Sequence, residues 1–272
     1  MLKEEFKRAF SGWRFLLTCA VTFVGAILGI LELGLPWGTL GNTAEYPFIH
    51  NAFDGFIYGA CYWVLPILAT VIAVLPFADS LISDRSSGYV SFILSRASFK
   101  KYIKSKFFAN LLAGGLGLSI PLVIIYIIIN IFYPRGFLPV PEPGEFWSGS
   151  ISPYAALPGP MGNFYRVKPD LYVFFLIVLF FIFGAVYATL GLALSLFVHN
   201  RYVALATPFI LSQIASFLFD VFGKSQLATI STLIPFVYGR TTWLSVFGEL
   251  GVIFLISTIC IFKFSSKKRI YE

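Results

Sequence analysis

The chain has 272 residues, 58% of them hydrophobic and only 12% charged, with 31 Phe and a mean hydropathy of +0.83. A soluble domain of this size needs far more polar surface, so that class is excluded and the hydrocarbon of a membrane becomes the expected solvent. The net charge of +7 is of the size that membrane topology and attraction to anionic lipid produce, and it calls for no nucleic acid.

The first dozen residues come before any span. At 100° per residue, Leu2, Phe6, Ala9, Phe10 and Trp13 share an arc of about 100° on a helical wheel. Lys3, Glu4, Lys7 and Arg8 fill the rest, which predicts an amphipathic helix lying along the membrane interface. The next segment, Phe15 to Leu35, is longer than a signal-peptide core and lacks a small-x-small cleavage site, so it reads as a retained helix.

Runs long enough to cross a bilayer as helices recur, which predicts an all-α polytopic membrane protein. Six transmembrane helices are expected at about 15–35, 58–78, 107–132, 171–197, 202–222 and 244–263, forming a single transmembrane domain over 1–272. Small residues four apart, at Gly25/Gly29, Ala113/Gly117 and Gly184/Ala188, predict close helix packing. Pro66, Pro76, Pro121 and Pro208 predict kinks or breaks. The connection 133–170 is rich in Pro, Gly and aromatics and reads as an irregular outer loop packed as a small cap. No internal repeat is visible, which argues against an inverted-repeat carrier.

Fifteen of the 20 Lys and Arg fall on one side of this topology, in the N-terminal segment, the second and fourth connections and the tail. The positive-inside rule places that side, and with it both termini, in the cytoplasm of a multi-pass plasma-membrane protein.

A search for catalytic chemistry finds little. His50 and His199 are isolated and form no HExxH site, and Cys19, Cys61 and Cys260 make no ligand pair, so neither a metal site nor a catalytic residue is assigned. Glu4-Glu5 resembles the paired glutamates of intramembrane prenyl-protein proteases, but Ala9 stands where an Arg is expected. Gly223-Lys224-Ser225 resembles the end of a phosphate loop, yet Leu218 occupies the position of its first glycine. No nucleotide site is expected in this chain, which is therefore not read as an enzyme. Glu249 and Glu32 are the charges within spans that stand out, because burying a carboxylate in hydrocarbon costs several kcal/mol. Each either lines a translocation pathway or reaches the outer headgroups, with Arg240 a possible partner for Glu249. Asp79 and Asp220 fall at span ends and call for no special role.

The second connection is the most informative stretch. Asp84-Arg85 is followed by Gly88, which can break a helix, and then by Tyr89, Val90, Phe92, Ile93 and Leu94, ahead of Ser95-Arg96 and a basic run to Lys106. So apolar a knob in a charged loop predicts docking into a groove on another protein. In Asp84, Arg85, Gly88, Leu94, Ser95, Arg96 and Lys106 the stretch resembles the first cytoplasmic loop of the permease subunits of type 2 ABC exporters. Ala97 departs from the pattern, where proline is common. The basic amphipathic N-terminus, the six spans and the length share the resemblance.

That resemblance implies a short cytoplasmic coupling helix, with Asp84, Arg85, Gly88, Tyr89, Phe92 and Arg96 coupling the chain to a separate ABC ATPase subunit. ATP and Mg would be bound by that ATPase, with no cofactor in this chain. A second six-span permease subunit, identical or different, would complete the transporter. The many aromatics favour an amphipathic cargo, and the chain looks similar to Gram-positive exporters of peptides, including phenol-soluble modulins. Two other readings stay open: a membrane assembly or interaction protein without transport, and an ion-coupled secondary carrier using Glu249 or Glu32.

Overall fold

The computed structural model describes residues 1–34, 52–61, 64–95, 98–133, 135, 157, 159–237 and 240–264. Among these, every regular element is helical. In chain order they are α1 (Leu2–Phe10), α2 (Trp13–Gly34), α3 (Ala52–Asp54) running into a π-helical turn (Gly55–Ala60), α4 (Val64–Val74), α5 (Ser80–Ser86) and α6 (Tyr89–Leu94). Then follow α7 (Phe99–Phe132), α8 (Phe164–Val167), α9 (Pro169–Leu194), α10 (Arg201–Val221), α11 (Thr229–Leu233) and α12 (Trp243–Phe264).

Five helices (α2, α7, α9, α10 and α12) are long and apolar enough to cross a membrane, as expected of a multi-pass membrane protein. Their boundaries follow local chemistry. Pro169 opens α9 at a position where its missing N–H costs nothing, and Asp170 favours the same helix end. The Asn200 side chain caps α10 by accepting the Tyr202 N–H at 2.9 Å. Pro121 and Pro208 do not end their helices; α7 and α10 run through them.

Where the sequence predicts one continuous span at 58–78, the structure has shorter pieces. The π-helical turn closes at Ala60, α4 covers 11 residues from Val64, and the helix stops at Val74, two residues before Pro76. Pro66 sits in the first turn of α4, where its missing donor is tolerated. None of these pieces is long enough to cross alone.

The core is the crossing of α7 and α9, with two-thirds of the apolar window of α9 buried but only 17% of that of α10. Gly114 of α7 meets Gly184 and Ala188 of α9 so closely that a Cβ on Gly114 would strike the Ala188 side chain and, at 2.7 Å, the Gly184 carbonyl. Asn110 locks the crossing by donating to the Ala188 carbonyl at 2.7 Å. The predicted pair Gly184/Ala188 lies at this seam. On α7, however, Gly114 makes it, while Gly117 faces Thr18 of α2.

One end of the bundle gathers most of the charge. Met1, Leu81, Val90, Ile93, Tyr102, Phe107, Leu196 and Ile261 belong to one apolar cluster there. The start of the chain, α5, α6, the start of α7 and the ends of α9 and α12 therefore share this end. The opposite end holds Asp54, which accepts a hydrogen bond from the buried Tyr165. There, too, Asp170 accepts from Tyr126 at 2.6 Å and pairs with Arg135. Most of the expected outer loop lies outside the described residues. Its described part packs on the core through Leu157, Met161 and Tyr165.

Candidate functional site

At the α1 end, α5 delivers Asp84 and Arg85 inward rather than outward. Asp84 is 1% exposed and Lys106 fully buried. The Asp84 carboxylate accepts from Arg8 Nη2 at 2.6 Å and from the Tyr102 hydroxyl at 2.7 Å, and lies 2.9 Å from Lys106 Nζ. Glu5, also buried, pairs with Arg8 at 3.1 Å and with Lys106 at 3.3 Å. Two cations and two carboxylates thus alternate in a closed ring that ties α1, α5 and α7 together. Burial pushes the Asp84 carboxyl up, but Lys106 and Arg8 outweigh it and hold the group below the usual carboxylate range. Burial likewise works to lower Arg8, and its contacts with Asp84 and Glu5 more than reverse that, fixing the guanidinium as a cation.

The neighbours extend this frame. The Arg85 guanidinium donates to the carbonyls of Ser195 and Leu196, both at 3.3 Å, satisfying free acceptors at the end of α9. Asp79 needs more explanation than its place at a span end suggests: it is 1% exposed and paired with Arg14 at 2.5 Å. Asp220 is exposed.

Asp84, singled out in the sequence as a coupling residue, is buried and held in the ring. The amphipathic arc of α1 is divided between two environments. Phe6, Ala9 and Phe10 pack toward Phe77, Ala109 and Ala113, whereas Leu2 and Trp13 remain exposed. Glu5 turns inward with Ala9 because Arg8 and Lys106 neutralise it.

On this frame stands α6. Gly88 adopts φ +68°, a left-handed conformation that lets α5 stop and α6 restart at once. Val90 and Ile93 are buried, while Tyr89 and Phe92 face outward, their rings stacked at 6.4 Å with Phe92 55% exposed. Arg8 lies 4.8 Å above the Tyr89 ring, so the outer face is coupled to the ring of charges beneath. Arg96 lies outside the described residues, as does the Leu94 side chain.

The second candidate is the carboxylate of Glu249 on α12. Its Oε1 accepts from Thr229 at 2.8 Å and from the Tyr187 hydroxyl at 3.2 Å, and its Oε2 accepts from Thr232 at 2.7 Å. Both threonines come from α11, a short helix anchored where the Thr229 N–H donates to the Ser216 hydroxyl at 3.1 Å. Arg240 is exposed, and among the described residues no cation pairs with Glu249. The carboxylate faces an apolar cleft of about 600 Å³ between α9, α10 and α12, lined by Pro208, Leu211, Gly248 and Val252 among others. Glu32 lies in α2 with its side chain outside the described residues, and His50 lies outside them altogether.

His199 is exposed and Cys61 buried. Among the described residues no group of three His, Cys, Asp or Glu is placed to hold a metal. The sequence singled out Glu249 but not its donors, because three hydroxyls on two other elements carry no spacing signal. Lys106 entered the sequence reading as the last residue of the basic run in the resembling loop, not as a buried ion-pair partner, although the apolar run beginning at Phe107 marks it as the last cation before hydrocarbon. No protein-family model, no curated protein and no solved structure matches this chain.

Proposed function

We propose that this chain is the membrane-spanning permease subunit of an ATP-driven exporter of the type 2 ABC kind, with α6 as the helix that seats on a separate ATPase. The observation that carries this reading is the form of α6: a two-faced helix with an outward Tyr89–Phe92 stack, braced by a buried ring of charges. An exposed aromatic pair on a rigid base suits docking into a partner's groove. A rigid base also passes displacement into the bundle.

In this reading both ends of the chain are cytoplasmic, in the plasma membrane. The cluster shared by Met1 and Ile261 favours an even number of crossings. The sixth is assigned to α3, the π-helical turn and α4, which follow one another along the chain between Ala52 and Val74. The N-terminal α1 rests at the inner leaflet with Trp13 at headgroup depth. Two such subunits form the pathway. Binding of ATP and Mg to the ATPases biases the paired bundles between inward and outward access, and an amphipathic peptide is the cargo.

The test is Tyr89→Ala with Phe92→Ala. Truncated hot-spot aromatics each cost on the order of 2 kcal/mol, so ATPase affinity falls by about a hundredfold or more while abundance in the membrane is unchanged. Retention of the ATPase in a detergent pull-down, with full transport, removes α6 from the coupling role. Glu249 gives the ion-coupled carrier its one supporting observation, and that reading requires transport to persist without ATP.

A further inference from the structure

We infer that the Glu249 cleft is a binding site for the lysine side chain of an amphipathic peptide, an inference that rests on the exporter reading and names what its cargo must carry. The cleft combines two properties that a neutral ligand leaves unused. Its walls are apolar, from Pro208 and Leu211 on α10 to Val252 on α12, and Glu249 is the one carboxylate among its lining residues. That carboxylate is surrounded by neutral donors only: Thr229, Thr232 and Tyr187. This contrasts with Glu5, Asp79 and Asp84, each of which has a cation of this chain within 3.3 Å.

Three hydroxyls hold the Glu249 side chain in one orientation without cancelling its charge. With about four acceptor sites on a carboxylate and three in use, room remains for one more donor. A compact ammonium fits that vacancy better than a guanidinium fork, which prefers both oxygens of a carboxylate free along one edge. The four-carbon stem of a lysine then lies along the apolar walls, and neighbouring apolar side chains of the peptide occupy the rest of the cleft. Leu244, Leu211 and Val252, which line the cleft, are exposed, so the cleft is accessible to a peptide partitioned into the membrane.

The experiment uses the full chain in phosphatidylcholine nanodiscs, with binding of a labelled leucine-lysine helical peptide read against empty nanodiscs. A matched peptide with glutamine in place of lysine separates charge from partitioning. Expected for the wild type is at least about tenfold tighter binding of the lysine peptide than of its neutral match, a preference that Glu249→Gln abolishes. The Gly248→Leu variant fills the cleft, since a Cβ there meets nothing nearer than Leu244 at 3.9 Å. It should weaken both peptides. Equal binding of the two peptides by the wild type overturns the proposal, and so does undiminished binding by Gly248→Leu. A changed oligomeric state in Gly248→Leu, with peptide affinity unaltered, assigns the cleft to a second copy of the chain and overturns it equally. If Glu249→Gln does not insert, the peptide pair on the wild type and Gly248→Leu still decide. No ATPase is present in the assay, so failure here removes the lysine site and leaves the exporter reading to its own pull-down.

Discussion

The ring at the α1 end and the cleft on α12 handle buried charge in opposite ways. In the ring, Glu5, Arg8, Asp84 and Lys106 cancel one another through four ion pairs, and nothing is left to attract a ligand. In the cleft, Glu249 is held by neutral hydroxyls and has no cationic partner among the described residues. A paired buried charge fixes the relative position of helices, whereas an oriented but unpaired one remains available. The first kind of site suits a frame, the second a ligand.

The largest effect that would sharpen this contrast comes from Lys106→Met. Glu5 and Asp84 then share one Arg in a buried site, and breaking a buried pair by removing one partner costs about 3–5 kcal/mol. The expected outcome is a large drop in thermal stability in detergent, partly restored by adding Asp84→Leu. A change too small to measure would mean that the ring is not a frame at all.

A smaller effect is expected from Thr232→Val, which removes one of three donors to Glu249. A hydrogen bond to a charged group contributes about 1.5–3 kcal/mol, and two other donors remain. The melting temperature should therefore fall by less than in Lys106→Met. An equal or larger fall would make the cleft as structural as the ring and dissolve the comparison.

The smallest effect is expected on mild acidification. The folded-state pKa of Asp84 lies below its unfolded value. Its contribution to stability is accordingly complete above the ordinary carboxylate range of about 4, and it is lost only as pH falls through the lower, folded pKa. Between neutrality and about pH 5 a melting curve should show no loss attributable to Asp84. A stability decrease in that window that vanishes in Asp84→Asn would show that the ring does not hold this carboxyl down.

The five helices long and apolar enough to cross a membrane were legible in the sequence, because hydropathy over some twenty residues is a local property that tertiary packing cannot hide. It also located the α5–α6 break, since Gly88 and the apolar residues after it are neighbours in the chain. The broken path through α4 was harder to see. Pro66 and Pro76 announce interruptions, but the π-helical turn at Gly55–Ala60 has no composition of its own. The ring was invisible for a different reason. Glu5 and Lys106 are 101 positions apart and Arg8 and Asp84 are 76 apart, and nothing local tells a lysine bound for burial from one that floats in a loop. Gly114 was passed over in favour of Gly117, three residues along, because a four-residue spacing names two faces of a helix without saying which neighbour each will meet.

The helix α7 is 34 residues long, about 50 Å at ~1.5 Å per residue, and its tightest contact falls near its middle, where Gly114 crosses Gly184. Lys106 and Tyr126 also tie α7 towards its two ends, so any rocking of the helix about the Gly114 crossing must carry the charge ring and the Asp170 contact with it. From Gly114, one arm of roughly 22 Å reaches Phe99, next to α6, and the other of roughly 27 Å reaches Phe132, past the contacts of Tyr126 with Asp170. A rocking of about 10° about that crossing carries the two tips some 4 Å in opposite directions, given arms of that length. Under the exporter proposal, a pull on the α6 end that opened one face of the bundle would close the other by a similar distance. Alternation between two openings would then depend on where one glycine sits along one helix.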